Sequence, residues 1–128
     1  MKCRQETKNN LLRDCLFRWI RLGQTGITME KLLEARGYNK IAIYGYDKIA
    51  ECLVYELRNS QIELKCIIDK KGKNISTDFP GVVIEEAKGM DFDAVIVCPV
   101  NNYEIIKEQI KQSIGLPVIT FEELIYEL

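Results

Sequence analysis

Residues 40–69 decide the fold through two apolar runs, Ile41-Ala42-Ile43-Tyr44-Gly45 and Leu64-Lys65-Cys66-Ile67-Ile68-Asp69. The stretch between them, residues 48–58, has helical periodicity and is expected to place one set of side chains on a single face: Ile49, Cys52, Leu53 and Leu57. Short apolar runs rich in β-branched residues predict buried strands, and the periodic stretch predicts the helix that joins them. The sequence therefore predicts a parallel βαβ unit, whose ligands would bind beyond the carboxyl ends of the strands.

The chain after this unit repeats the alternation of strands and helices. We predict strands at residues 82–84, 94–98 and 117–119, a helical turn at 85–88, and a helix capped by Asn101 or Asn102 with Ile105, Ile106 and Ile110 facing inward. Thr120-Phe121-Glu122-Glu123 has the pattern of a capping box and opens a terminal helix. Right-handed crossovers then predict an α/β, Rossmann-like three-layer sandwich with a five-stranded, mostly parallel sheet of order 3-2-1-4-5.

An N-terminal helical extension, residues 1–37, precedes the Rossmann-like body, residues 38–128. Apolar residues recur at three- and four-residue spacing in residues 10–22, which predicts an amphipathic helix ending at Gly23. Thr28 is placed to cap a second, short helix that ends at Gly37. We expect the first helix to form a subunit or partner interface, for a homodimer or a larger enzyme, through Leu12, Leu16, Trp19 and Ile20.

The charges and cysteines limit the classes of function. Eighteen basic and 19 acidic side chains give a net charge of −1, which offers no general attraction to nucleic acid. Six of the basic and two of the acidic side chains lie in residues 1–23, which leaves 12 basic and 17 acidic ones, a net charge of −5, on the remainder. No apolar run is long enough to span a bilayer. Five scattered cysteines fit a reduced, cytoplasmic protein.

The chain contains no histidine, which excludes Ser-His-Asp and Cys-His nucleophilic sites. It also leaves zinc sites of the usual Cys/His kinds without a basis, because no Cys-x-x-Cys pair is present. We therefore interpret Cys98, at the end of the fourth strand, as a small buried hydrophobic residue. We expect no catalytic activity from the domain on its own.

The glycine fingerprint of dinucleotide-binding sheets, G-x-G-x-x-G/A, is altered in this chain. Its three defining positions hold Gly45, Asp47 and Ala50. Asp47 puts a side chain and a negative charge where a pyrophosphate must approach the backbone, and two such charges about 4 Å apart repel by roughly 4 kcal/mol near a protein surface. Asp47 is also a good N-cap for the helix that Lys48 begins, and the ammonium group of Lys48 is a candidate ligand contact that would offset part of this repulsion. NAD(P) in its usual pose is therefore disfavoured, and the fold requires no cofactor.

Two other strand ends contribute candidate binding residues. Asp69 follows Gly45 by 24 residues, near the spacing of an acid that binds a ribose hydroxyl, although such an acid can equally cap the turn after its strand. Lys70 is placed either to contact a phosphate or to keep that loop soluble. After the fourth strand, Pro99 and Asn101 face the same crevice, where an asparagine can hydrogen-bond a base or sugar or cap the next helix.

The segments Lys40-Ile-Ala-Ile-Tyr-Gly45, Ile68-Asp69 and Pro117-Val-Ile-Thr-Phe-Glu-Glu-Leu124 resemble small Rossmann-like domains associated with bacterial surface-polysaccharide biosynthesis. Those domains are similar to the nucleotide-sugar-binding N-terminal domain of PglD-like acetyltransferases. The resemblance implies a nucleotide-sugar pocket lined by Gly45, Tyr46, Asp47 and Asp69. Members of that family commonly have a second glycine where this chain has Asp47.

Three hypotheses follow from these patterns. The first is a non-catalytic domain that binds a nucleotide or nucleotide-sugar in polysaccharide biosynthesis. The second is a protein-interaction or dimerisation module whose Rossmann-like site has degenerated. The third and weakest is an NAD(P)-binding oxidoreductase domain, because no catalytic acid or base and no second domain is evident.

Overall fold

Strands and helices alternate along the chain in a computed structural model that describes residues 4–75, 78–98 and 103–126, with side chains from residue 9 onward and, in the last segment, from residue 105. The strands are β1 (Lys40–Tyr44), β2 (Glu63–Ile68), β3 (Gly81–Val82), β4 (Ala94–Val97) and β5 (Val118–Thr120). The helices are α1 (Arg4–Gln24), α2 (Met29–Ala35), α3 (Lys48–Leu57), α4 (Ile84–Ala87), α5 (Tyr103–Ser113) and α6 (Phe121–Tyr126), with a 3-10 turn at Gly72–Asn74.

The five strands form one sheet of order β3-β2-β1-β4-β5, as the sequence predicts. All four strand pairs are parallel, so the sheet is wholly rather than mostly parallel. Ile43 in β1 pairs with Ile67 of β2 on one side and with Ile96 of β4 on the other. The order reverses between β1 and β4, so the crevice at their carboxyl ends is the topological switch point where ligands of such sheets bind.

Helices cover both faces of the sheet, and alternate strand residues point into two separate cores. Ile41 and Ile43 join the core formed with α1, α2, α3 and α6, whereas Ala42 joins the core formed with α4 and α5. Burial on both faces explains why β4 consists of four apolar residues in succession, each fully buried. The described residues thus form the three layers of a Rossmann-like fold.

Two side chains predicted to face the core are exposed instead. Cys52 lies outside the buried face of α3, and Ile105 is 60% exposed on α5. Each residue lies one helical step of about 100° from the stripe that packs on the sheet, which in α5 runs through Ile106, Ile110 and Ile114. Both predictions are therefore wrong: an apolar side chain at the margin of a helical stripe is not necessarily buried.

The third strand also differs from its prediction. It covers Gly81–Val82 rather than residues 82–84, because the chain turns at Val83 into helix α4. The backbone N–H of Val83 donates to the carboxylate of Glu86 at 3.1 Å, a bond that fixes the start of this helix. The N–H of Val83 is therefore bonded to a residue of α4, and the pairing of β3 with β2 ends at Val82.

The predicted capping residues behave as expected where they are described. Thr28 Oγ1 accepts from the N–H of Lys31 at the start of α2, and Thr120 Oγ1 accepts from the N–H of Glu123 at the start of α6. Asn101, Asn102 and Leu128 lie outside the described residues. Within the part of the chain that the structure describes, no helix combines the length and apolar character needed to cross a membrane.

Candidate functional site

The carboxyl end of β1 forms a tight turn that leads into α3. Gly45 has a φ of +82°, a conformation that favours glycine, and its N–H donates to the carbonyl oxygen of Ile68 at 2.8 Å. This bond continues the β1–β2 ladder by one residue beyond Tyr44. The turn therefore places the first residues of α3 directly beside the end of β2.

Asp47 occupies the start of α3 as its N-cap. Its carboxylate oxygen accepts from the N–H of Ala50 at 3.0 Å, and the backbone at Asp47 is extended. The free N–H groups of a helix start attract a phosphate, and here an internal carboxylate takes one of them. Lys48 follows as the first residue of the helix and is exposed. The structure therefore places a negative charge at the position that a pyrophosphate would need.

Asp69 connects the ends of β1 and β2. One carboxylate oxygen accepts from the N–H of Tyr46 at 3.4 Å, and the other accepts from the N–H of Lys71 at 2.9 Å. The Lys71 bond is the turn-capping role that the sequence suggests for this residue. A carboxylate offers about four acceptor positions, so each oxygen of Asp69 keeps one for a further donor.

A cavity of about 400 Å³ opens beside Asp69 and runs between α4 and α5. Its lining includes Tyr44, Asp69, Lys70, Ile84, Gln109 and Ser113. The volume lies within the range of small-molecule sites, and apolar walls with a few convergent polar groups are typical of such sites. Burial, followed by the nearby charge of Asp69, raises the pKa of Tyr44, so its phenol stays protonated at neutral pH.

The predicted site residues divide into two groups in space. Asp69 and Lys70 line the cavity, whereas Lys48 and Asp47 belong to the start of α3 and do not line it. Tyr46 packs against the core on the opposite face of the sheet, which contains α3. Pro99 and Asn101 lie outside the described residues.

Three polar residues of the cavity were not predicted from the sequence: Tyr44, Gln109 and Ser113. Tyr44 is the last residue of β1 and is half-buried. Its position at the end of a strand could have indicated it as a candidate site residue. Gln109 precedes the buried Ile110 in α5, and only the spatial arrangement of α4 and α5 shows that its side chain faces a cavity.

Cys98 follows the last residue of β4, belongs to the core that contains α3 and is fully buried. Burial raises the pKa of its thiol well above the ordinary value, and the charge of Asp47 acts in the same direction. A thiol in this environment is a poor nucleophile because the thiolate is the reactive form. Among the described residues, no group of three or more Cys, Asp or Glu side chains is placed to hold a metal ion.

Comparisons with known proteins identify one relationship. No curated protein and no solved structure matches the chain. The model of the family described as C2185-like, N-terminal matches residues 37–118, from the glycine after α2 to the start of β5. This range contains the βαβ unit, the altered fingerprint and Asp69, and it covers more than half of the chain. The chain therefore belongs to the C2185-like, N-terminal family.

Proposed function

We propose that this protein is a non-catalytic domain that binds a nucleotide or nucleotide-sugar. The observation that supports the proposal is the cavity beside Asp69, which lies at the carboxyl ends of the strands and brings a fixed carboxylate together with an apolar groove. Nucleosides combine a hydroxylated ribose with a flat, largely apolar base. The ribose would lie against the carboxylate, and the base would lie in the apolar groove.

The contacts suggest how such a ligand would bind. The acceptor positions that remain on Asp69 are suited to ribose hydroxyl groups. The base would enter the groove between Ile84 and Ile110, where the amide of Gln109 can both donate to and accept from its edge. Lys70 is exposed at the rim, and a phosphate or phosphosugar would extend toward it.

The same geometry disfavours an NAD(P)-binding oxidoreductase. A dinucleotide needs its pyrophosphate at the start of α3, and the carboxylate of Asp47 already caps that end. A ligand that leaves this turn free, with its phosphates directed to the rim, avoids the repulsion. We therefore propose binding of a nucleotide or nucleotide-sugar in preference to a dinucleotide cofactor.

The absence of catalysis is also part of the proposal. The chain has no histidine, and the thiol of Cys98, at the end of β4, is buried and has a raised pKa. A role in bacterial surface-polysaccharide biosynthesis, beside a larger sugar-modifying enzyme, rests on the sequence resemblance alone. The cytoplasm, where nucleotide-sugars are made and used, is the compartment that this role implies.

A thermal-shift screen tests the proposal with free nucleotides, UDP-, GDP- and CMP-sugars, NAD(H) and NADP(H). A ligand at about ten times its Kd adds about 1.4 kcal/mol to the free energy of unfolding. For a chain of this size that corresponds to a rise in Tm of about 5 °C. We expect a rise with one class of nucleotide or nucleotide-sugar and none with NAD(H) or NADP(H).

Two neighbouring residues of α5 provide a matched pair of variants. Gln109→Leu removes the amide from the cavity, whereas Glu108→Leu changes an exposed side chain that does not line it. We expect Gln109→Leu to abolish the ligand-induced shift and Glu108→Leu to retain it. Absence of any shift in the wild type at millimolar ligand would overturn the proposal.

The dimerisation or interaction module is a second candidate function, and a separate observation favours it. An apolar surface on α1 and α3 is exposed, away from the cavity beside Asp69. A shift that appears only in Asp47→Gly would also support this candidate, because it would identify an inherited site that Asp47 closes.

A further inference from the structure

Four large apolar side chains are exposed together on two neighbouring helices. Leu16, Phe17 and Ile20 of α1 are 37%, 65% and 59% exposed, and Tyr55 of α3 is 77% exposed. They account for four of the six exposed large apolar side chains among the described residues. We call them, together with the half-buried Leu12, the α1/α3 face. A monomeric protein rarely exposes so continuous an apolar surface without using it.

The α1/α3 face is distinct from the side of α1 that packs on the body. Cys15 and Leu22 are buried in the core beside α6, whereas Leu16 and Ile20 point about one quarter to one half of a helical turn away from them. Residues Leu12, Leu16 and Ile20 recur every four positions, so they form one ridge along the helix. This ridge is available to a partner while α1 stays attached to its own body.

Trp19 differs from the other predicted interface residues. Its ring packs against Phe121 of the same chain, with ring centroids 4.8 Å apart, and its indole N–H donates to Glu56 at 2.8 Å. It therefore fixes α1 to the body and borders the α1/α3 face without forming its centre. Leu16 and Ile20 form the centre of the face, and Phe17 and Tyr55, which the sequence did not indicate, flank them.

The surface is concave as well as apolar. Two cavities of about 460 and 660 Å³ lie side by side and share Leu16 and Ile20 as lining residues. The first extends toward Arg13 and Phe17 on α1, and the second extends toward Tyr55 on α3. A helix that lies along α1 would enter both.

We infer that a second copy of this chain occupies the α1/α3 face, with the two α1 helices packed antiparallel about a two-fold axis between Leu16 and Ile20. Such an axis pairs Leu16 of each copy with Ile20 of the other and repeats every contact twice, as an isologous dimer requires. Phe17 and Tyr55 extend the apolar contact on either side of the helix pair.

The charges at the two ends of the face fit this arrangement. Arg13 lies five residues before the proposed axis, and its side chain is 71% exposed. Gly23 lies five residues after the axis, in the same cavity lining as Glu56 and Asn59. Antiparallel packing therefore brings Arg13 of one copy beside Glu56 of the other, at both ends of the interface. This pairing of a guanidinium group with a carboxylate is attractive, and the two-fold axis repeats it at the other end of the interface.

Sedimentation equilibrium of the full chain tests this inference over a concentration range from about 1 µM to about 100 µM, which brackets a modest interface. We expect the mass to rise from that of a monomer to that of a dimer. Ile20→Lys should weaken the dimer by at least about tenfold, because it puts a charge at the centre of an apolar contact. Ile105→Lys is the matched control, since Ile105 is equally exposed, at 60%, on α5.

A charge exchange tests the antiparallel arrangement itself. Arg13→Glu and Asn59→Lys should each weaken the dimer several-fold, because each places like charges together across the interface. The double variant should restore the dimer, since the introduced carboxylate of one copy would then face the introduced ammonium group of the other. Far-UV circular dichroism and the fluorescence of Trp19 verify that each variant is folded.

The outcomes separate clearly. A monomer at every concentration would overturn the inference and leave the α1/α3 face to a different protein. A dimer that Ile105→Lys weakens as much as Ile20→Lys, or that the double variant fails to restore, would also overturn it. The inference does not depend on nucleotide binding, because the variants lie outside the cavity beside Asp69.

Discussion

The cysteine side chains differ in their exposure to solvent. Cys15, Cys66 and Cys98 are fully buried, whereas Cys52 is exposed on α3. Burial raises the pKa of both Cys15 and Cys66 to about 11, with a smaller contribution from nearby acids at Cys15. The expected burial of Cys98 is thus confirmed and that of Cys52 is wrong, and Cys3 lies outside the described residues.

We predict that Cys52 alone reacts rapidly with a thiol reagent in the folded protein, in a Cys3→Ser background. At pH 8 a thiol with a pKa of about 11 is only about 0.1% thiolate, and burial blocks access as well. Absorbance of the released chromophore should show one rapid equivalent, which Cys52→Ser removes. In urea the other three cysteines should react too. A second rapid equivalent in the folded protein would contradict the burial of the core thiols.

Features that depend on neighbouring residues in the chain could be predicted from the sequence, whereas a feature that depends on the packing of distant segments could not. The succession of apolar residues in residues 41–44 and 94–97 predicts buried parallel strands because each face of the sheet must be covered. The capping role of Asp47 follows from its position immediately before a periodic stretch. The cavity beside Asp69 could not be predicted, because Gln109 reaches it only through the way α4 and α5 pack.

The start of α3 depends on Asp47 in a way that stability measurements can detect. Asp47→Ala removes the acceptor for the N–H of Ala50 and should lower the free energy of unfolding by about 1 kcal/mol. Asp47→Ser keeps an oxygen at the same place and should stay within a few tenths of a kcal/mol of the wild type. Urea denaturation followed by circular dichroism gives both values. Equal losses in the two variants would show that the cap does not stabilise the helix.

The first residues of β1 depend on a different carboxylate, that of Asp93, just before β4. One of its oxygens accepts from the N–H groups of Lys40 and Asn39, at 2.9 and 2.8 Å. These backbone bonds lower the pKa of Asp93 below its ordinary value of 3.8. The carboxylate therefore contributes stability that is present above pH 3.8 and is lost as the pH falls through its lowered pKa.

We predict that Asp93→Asn flattens the acid side of the stability profile. The wild type should lose stability as the pH falls below 3.8 through the lowered pKa of Asp93, and the variant should lose less because its amide does not titrate there. Urea midpoints at a series of pH values measure the slope. Asp91→Asn is the control, since its carboxylate makes an exposed pair with Lys40 and contributes little. The same slope in the wild type and Asp93→Asn would contradict the prediction.

Glu56 of α3 attaches both α1 and α2 to the body. Its two carboxylate oxygens accept from the indole N–H of Trp19 at 2.8 Å and from the backbone N–H of Met29 at 2.7 Å. One side chain thus connects the helices α1, α2 and α3. Arg18 adds a second connection, through a 3.0 Å bond from its guanidinium to the carbonyl oxygen of Ile125 in α6.

The N-terminal helical extension and the Rossmann-like body share one hydrophobic core. The sequence predicts a helical extension at residues 1–37, yet Cys15, Leu22, Met29 and Leu33 belong to the same core as β1 and α3. The hydrophobic periodicity of α1 predicts an apolar face, but it does not predict whether each residue of that face packs on the chain's own body or stays exposed. Contacts with α6 and with Glu56 assign Trp19 to the body, and the remaining ridge through Leu16 and Ile20 stays exposed.

We predict that Glu56→Ala lowers the free energy of unfolding by about 2 kcal/mol, because it leaves the N–H of the buried Met29 and the Trp19 indole without their charged acceptor. Trp19 is the single tryptophan, so its fluorescence reports directly on the seating of α1. Urea denaturation should be followed by this signal at about 1 µM protein, where dimerisation contributes little. Glu51→Ala is the matched control, because Glu51 is an exposed glutamate of the same helix, and it should change the stability by less than about 0.5 kcal/mol. Equal effects of the two variants would mean that Glu56 does not hold α1 and α2 in place, and the α1/α3 face would then lack the rigid support that an antiparallel helix pair requires.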